Sequence, residues 1–146
     1  MKRAILALPA ALLLGAAPSP SLQPGQWQST VTIVAVQAPA AAAQFTASMK
    51  GKRNVLNRCL TPAQAPGGLH LLLSGGKAQC RFTRFHLDGD RMASTMVCTG
   101  PSGSTTTSST GSFGPTSYDV TGLATTDGAV KMTIRTHTTG KRTGGC

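Results

Sequence analysis

Four cysteines are the residues in this chain best equipped for chemistry: Cys59, Cys80, Cys98 and Cys146. Thiolates can hold a metal, attack a substrate or pair as disulfides. Structural zinc sites draw on closely spaced pairs such as Cys-x-x-Cys, whereas these four are separated by long, irregular stretches. No metal is expected. An even count in an exported chain points instead to two disulfides, made in an oxidising compartment. Three pairings are open to four cysteines. The favoured one joins Cys59 with Cys80, closing a Pro/Gly-rich excursion, and Cys98 with Cys146, tying down the C-terminus. Each link is worth roughly 2–4 kcal/mol, mainly by restricting the unfolded chain.

The other reactive types are thinly spread. Gly100-Pro101-Ser102-Gly103-Ser104 falls short of the Gly-x-Ser-x-Gly elbow at its last position, and no helix signal follows it. Paired-carboxylate hydrolysis needs two acids close together with separated pKa values. The four acids are Asp88, Asp90, Asp119 and Asp127, three of them in turn-forming sequence, where their local role is turn chemistry. Asp88-Gly89-Asp90 starts like a calcium loop but lacks the later ligands. His70, His86 and His137 stand alone, with no second ligand at a useful spacing. The expectation is therefore a protein that is not an enzyme and carries no cofactor. Were a catalytic cluster present, His86, Arg84 and Asp119 would be the first to inspect.

Charge is the clearer signal. The chain carries 14 Lys and Arg against 4 Asp and no Glu, a net +10. Removing an N-terminal leader with Lys2 and Arg3 leaves 12 bases and a net +8. A field of that sign attracts anions, and Lys50, Lys52, Arg53, Arg58, Lys131 and Arg135 are the anion-binding candidates. Nucleic acid is an unsuitable partner, because base stacking needs spare aromatics and the few here are required by the core. Anionic envelope material, lipid head groups or acidic glycans, is the more available one.

The leader is residues 1–21: Lys2 and Arg3 precede an apolar run from Ala4 to Leu14, then Gly15-Ala16-Ala17. Cleavage falls between about residues 17 and 21, with Pro18 disfavouring the earlier site. The run is too short to span a bilayer, and no later run is long enough to do so. Residues 22–146 then form a single disulfide-stapled β domain, periplasmic or secreted.

Within that domain, Trp27–Val36 is rich in Thr, Val and Ile and predicts a strand. Extended segments at Phe45–Met49 and Asn54–Cys59 are expected to pair across Lys50-Gly51-Lys52. Thr61–Ala65 reads as one helical turn, with Thr61 as cap and Pro62 at its first position, stopped by Pro66-Gly67-Gly68. Leu69–Leu73 fits strand, helix or buried turn. Further strands are expected at Arg81–Leu87, Arg91–Thr99, Ser104–Phe113, Ser117–Leu123 and Ala129–Thr138. Asp88-Gly89 and Asp127-Gly128 are suited to tight hairpin turns. Val130, Met132 and Ile134 alternate with Lys131, Thr133 and Arg135, the pattern of a half-buried strand. Met92, Met96 and Cys98 share the inward face of an earlier one. The sum is a mainly β fold: an antiparallel meander of about six to nine strands curled into a barrel-like or sandwich-like shell, with one short helical turn. Ser102–Ser112, almost all Gly, Ser and Thr, suits a loop or an exposed strand; β-branching favours the strand.

These pieces resemble a family of small exported bacterial proteins, domain-of-unknown-function family 3617. The matching residues are Pro24-Gly25-Gln26-Trp27 at the first strand, Cys59-Leu60-Thr61-Pro62-Ala63-Gln64-Ala65, Cys80 before a strand, Cys98 at the end of the next, and Gly140-Lys141-Arg142-Thr143-Gly144-Gly145-Cys146 at the close. The resemblance implies the layout and transfers no catalytic residue. The functional expectation is a non-catalytic binding or scaffold domain of the cell envelope, with a β-shell carrier of a small apolar ligand, and then an enzyme of unrecognised type, as the alternatives.

Overall fold

The computed structural model describes residues 21–76, 79–128 and 130–146. The expected leader lies outside them. Seven antiparallel strands form one sheet: β1 (Gly25–Gln37), β2 (Arg53–Leu60), β3 (Cys80–Asp88), β4 (Arg91–Gly100), β5 (Gly103–Phe113), β6 (Ser117–Gly128) and β7 (Thr133–Gly144), in the order β2-β1-β7-β6-β5-β4-β3. The sheet is not closed; β2 and β3 are its two edges. This is the mainly β meander expected, and the Ser/Thr-rich β5 is a full strand, held by complete ladders to β4 and β6.

Two helices, where one helical turn is expected, complete the fold. Phe45–Met49 is not a strand but the body of α1 (Ala43–Met49), preceded by a 3-10 turn at Ala40–Ala42. Alanine has the best intrinsic helix propensity, and the Ala40–Ala43 run starts a helix that Thr46 and Ser48 continue by bonding back to the carbonyls of Ala43 and Phe45. With that segment helical, β2 pairs with β1 instead, Thr32 opposite Arg53 and Gly25 opposite Leu60.

Pro66-Gly67-Gly68 does not stop a helix; it starts one. A 3-10 turn at Ala65–Gly67 leads into α2 (Gly68–Ser74), which takes up Leu69–Leu73. Gly68 is needed there for space, since a Cβ would lie 2.7 Å from Leu60 Cδ1. Gly75, with φ +62°, ends α2, a conformation open to glycine without steric cost.

The turns also differ in detail. Asp88 pairs with Arg91, so the β3–β4 turn centres on Gly89-Asp90 with positive φ at Gly89. Gly128 ends β6, and β7 begins only at Thr133. In between, Thr126 Oγ1 donates to the Val130 carbonyl at 3.0 Å and accepts from the Met132 amide at 2.9 Å. That loop takes Val130 and Lys131 out of the expected strand and leaves Val130 46 % exposed.

Both disulfides expected by count are present, but the pairing is different: Cys59 with Cys146 and Cys80 with Cys98. Cys80 and Cys98 are register partners across the β3–β4 hairpin, with Cα atoms 4.0 Å apart. Cys59 stands on the other edge strand, opposite Gln26, and Gln26 is also opposite Gly144. The tail after β7 therefore has only the start of β1 to cross in order to reach Cys59.

The core fills one end of the concave face. Trp27 and Leu60 are completely buried, joined by Leu22, Leu69, Leu72, Met92, Phe113, Tyr118 and Val120. Trp27 donates from its indole nitrogen to the Gln23 carbonyl at 2.9 Å and stacks with Tyr118 at 6.1 Å between centroids.

Candidate functional site

The strand alternation sends Ser29 and Val31 of β1, Met96 of β4, Thr107 and Ser109 of β5, Val120 of β6 and Thr136 and Thr138 of β7 to the inner face of the curl. Helix α2 lies over that face and spans the gap between the two sheet edges. On the β3 side, His70 stacks on Phe85 at 3.8 Å and meets Phe82 edge-on at 4.7 Å. On the β2 side, Arg58 Nη2 donates to the Gly75 carbonyl at 3.0 Å, satisfying a free carbonyl at the end of the helix and placing a cation where the helix dipole favours one.

Under this lid the core stops short of filling the shell. A cavity of about 140 Å³ remains, walled by residues of all seven strands and by Leu72 and Leu73 of α2. Its apolar wall comes from Val31, Leu56, Phe82, Met96 and Val120 in addition to the two leucines. Six hydroxyls interrupt that wall: Ser29, Ser94, Thr107, Ser109, Thr136 and Thr138. Gly122 forms part of the floor, where a Cβ would come within 2.8 Å of Thr136 Oγ1. Among the described residues no acid, base or histidine lines the cavity, so it can hold a molecule by shape, apolar contact and neutral hydrogen bonds.

Two groups beside this space are perturbed by burial. The Tyr118 hydroxyl is pushed above its usual value by desolvation, an effect that its hydrogen bond with Ser29 opposes. Desolvation likewise holds His70 below 6.5.

The charged candidates are scattered over the outside. Lys50, Lys52 and Arg53 cluster where α1 turns into β2. Arg58 is engaged on α2. Lys131 lies 3.9 Å from Asp127, both largely exposed, a pair worth little in water. Arg135 points outward from β7 and shares a shallow convex groove with Arg84. His86, Arg84 and Asp119 do not converge: β4 and β5 separate β3 from β6. The partner of Asp119 is His137, at 2.9 Å on the convex face. Their diagonal relation follows from Thr121 standing opposite His137, a register the sequence alone does not give. Among the described residues no group of three His, Cys, Asp or Glu is placed to hold a metal ion, and no helix is long and apolar enough to cross a membrane.

The hydroxyls of the lumen escape sequence analysis for a specific reason. Ser and Thr occupy both faces of β5 and β7, so the inside and outside positions do not differ in polarity and only the pairing register separates them.

The family model described as "Protein of unknown function (DUF3617)" matches residues 22–146, a span that takes in both disulfides, all seven strands and α2. The chain belongs to that family. No curated protein and no solved structure matches it. For this DUF3617 protein the layout expected from the motifs is in place: Trp27 sits at the start of β1, Cys59 at the end of β2, and the Lys141-Arg142 segment leads into the terminal Cys146. Arg142 fixes the end of β7 to the residue before β1, its Nε donating to the Pro24 carbonyl at 2.7 Å. Two disulfides fit an oxidising compartment.

Proposed function

We propose that the protein is a non-catalytic binding domain of the bacterial cell envelope, exported to the periplasm or beyond, whose lumen takes one small neutral molecule or the apolar end of a longer one. The observation that carries this reading is the partly open cavity of about 140 Å³ between α2 and the inner faces of all seven strands. A dry cavity of similar volume is enough for a benzene-sized guest. The wall chemistry selects further. Apolar contacts dominate, each methylene group buried contributes about 0.8 kcal/mol, and the hydroxyls from Ser94 and Thr107 to Thr138 suit one carbonyl or hydroxyl group on the guest. A charged guest is disfavoured, because among the described lining residues no opposite charge offsets its desolvation.

Calorimetric titration of the disulfide-intact protein with a homologous series of short primary alcohols and ketones tests this. Affinity should rise with chain length and level off once the lumen is full. Ser109→Leu, which places a side chain in the free volume, should abolish the heat while leaving the fold intact by circular dichroism. Absence of binding across the series, or binding unchanged in Ser109→Leu, would remove the lumen as the site.

A further inference from the structure

The β1–β2 connection and the β6–β7 loop emerge at the same end of the sheet, since Gln37 at the end of β1 is opposite Thr133 at the start of β7. That end combines exposed apolar groups with cations. Helix α1 turns Thr46 and Met49, with Ala42 before them, toward the sheet and leaves Ala43, Gln44, Phe45, Ala47 and Ser48 in solvent. Phe45 is 60 % exposed and Val130, on the neighbouring loop, 46 %. No charged residue occurs from Leu22 to Met49, so no charge on α1 opposes its approach to an apolar phase, and Gln44 and Ser48 keep the polar part of the helix at head-group level. Immediately after it come Lys50, Lys52 and Arg53, all exposed, with Lys131 across the end of the sheet. The single acid described at this end, Asp127, already faces Lys131.

We propose that this end of the protein docks on an anionic lipid bilayer, with α1 lying in the interface, Phe45 and Val130 entering below the head groups, and Lys50, Lys52 and Arg53 engaging the lipid phosphates. An apolar face flanked by cations, with an aromatic at its centre, is the arrangement of interfacial helices. Lysine and arginine can keep their charged ends at head-group level while their stems stay in apolar surroundings. The tip is uncharged and apolar at its apex and cationic at its base, and that order of groups matches the depth profile of an anionic leaflet. Each cation near such a surface strengthens binding about fivefold at moderate salt. One exposed aromatic and a short helix make the attachment reversible.

The experiment is co-sedimentation of the intact protein with phosphatidylcholine vesicles prepared with and without phosphatidylglycerol. Binding is expected to the anionic vesicles at low salt and to fall sharply near 1 M salt, where the screening length is about 3 Å. Lys50→Gln/Lys52→Gln/Arg53→Gln should weaken it on the order of 100-fold, and Phe45→Ser about tenfold. A control that removes as much charge elsewhere, Arg84→Gln/Arg91→Gln/Lys141→Gln, should change it by no more than about twofold, because Arg91 and Lys141 lie at the opposite end of the sheet and Arg84 in mid-strand. Circular dichroism confirms that each variant is folded. Failure of the wild type to sediment with anionic vesicles overturns the proposal, as does equal weakening by the control triple variant. Retention on an acidic polysaccharide that Phe45→Ser does not alter, without vesicle binding, overturns it in favour of a glycan.

Discussion

Tyr118 and Gly140 stand directly opposite one another on β6 and β7, and the tyrosine ring lies on the glycine, so close that a Cβ at position 140 would fall within the ring's van der Waals surface. Gly140 has ordinary strand φ; it is required for space, not for backbone freedom. The ring covers backbone that glycine leaves bare and in turn stacks on Trp27, so the pair anchors the filled end of the shell. Gly140→Ala should displace Tyr118 and lower stability by about 1–3 kcal/mol, the usual cost of overpacking a rigid core. Urea denaturation of the oxidised protein measures it. A midpoint unchanged from wild type would mean that the ring has room to move.

The same tyrosine is tied at its far end. Ser29 Oγ and the Tyr118 hydroxyl are hydrogen-bonded to each other within the core, and Ser29 is only 3 % exposed. Tyr118→Phe leaves the serine hydroxyl buried with its partner removed, a loss of about 1–3 kcal/mol. Ser29→Ala combined with Tyr118→Phe removes both members, so the double variant should be more stable than Tyr118→Phe alone. Thermal unfolding of the three variants decides this, and simple additivity of the two losses would show the groups to be uncoupled.

Much of this arrangement is legible in the sequence because strand pairing rests on local signals. Met92, Met96 and Cys98 mark one inward face, Gly89 marks a hairpin, and the β-branched residues of β5 mark a strand. What escapes is long-range. The identity of the inward Ser and Thr positions in the lumen depends on register. The helical state of Leu69–Leu73 depends on Gly68 fitting against Leu60. The pairing of Cys59 depends on β1 and β7 being neighbours, which places the C-terminal tail one strand away from it. Spacing along the chain carries none of these relations, and the favoured Cys59–Cys80 link would have had to join opposite edges of the sheet at opposite ends.

The two disulfides should contribute unequally. Cys59–Cys146 closes a separation of 87 residues and Cys80–Cys98 one of 18. In the chain-entropy description these loops correspond to about 4.6 and 3.2 kcal/mol of restriction on the unfolded chain. The short link also joins residues that the β3–β4 ladder already holds together, whereas the long link fastens the terminal segment to an edge strand. Replacing Cys59 and Cys146 by Ala should therefore lower the denaturation midpoint more than replacing Cys80 and Cys98. Peptide mapping without reduction checks the connectivity directly, and a peptide joining Cys59 to Cys80 would contradict the structure.

His70 gives the protein a pH dependence that begins in the helix covering the lumen. Its ring is packed between Phe82 and Phe85, and desolvation there lowers its pKa from 6.5. Attraction between a protonated imidazole and the phenyl faces acts the other way, but at a partly exposed site it is worth only about 0.5–1 kcal/mol, and loss of hydration prevails. The native state therefore prefers the neutral ring. Above pH 6.5 both folded and unfolded chains hold His70 neutral, and its contribution to stability is fully present. Between 6.5 and the lower folded value the unfolded chain binds the extra proton, so stability falls as the pH falls. His70→Phe preserves the aromatic packing and removes the titration. The stability difference between wild type and this variant, followed by urea denaturation from pH 8 to pH 5, should shift against the wild type as the solution is acidified. Taking that difference cancels every contribution that both proteins share. A difference that stays flat with pH would place His70 in water rather than in the aromatic pair.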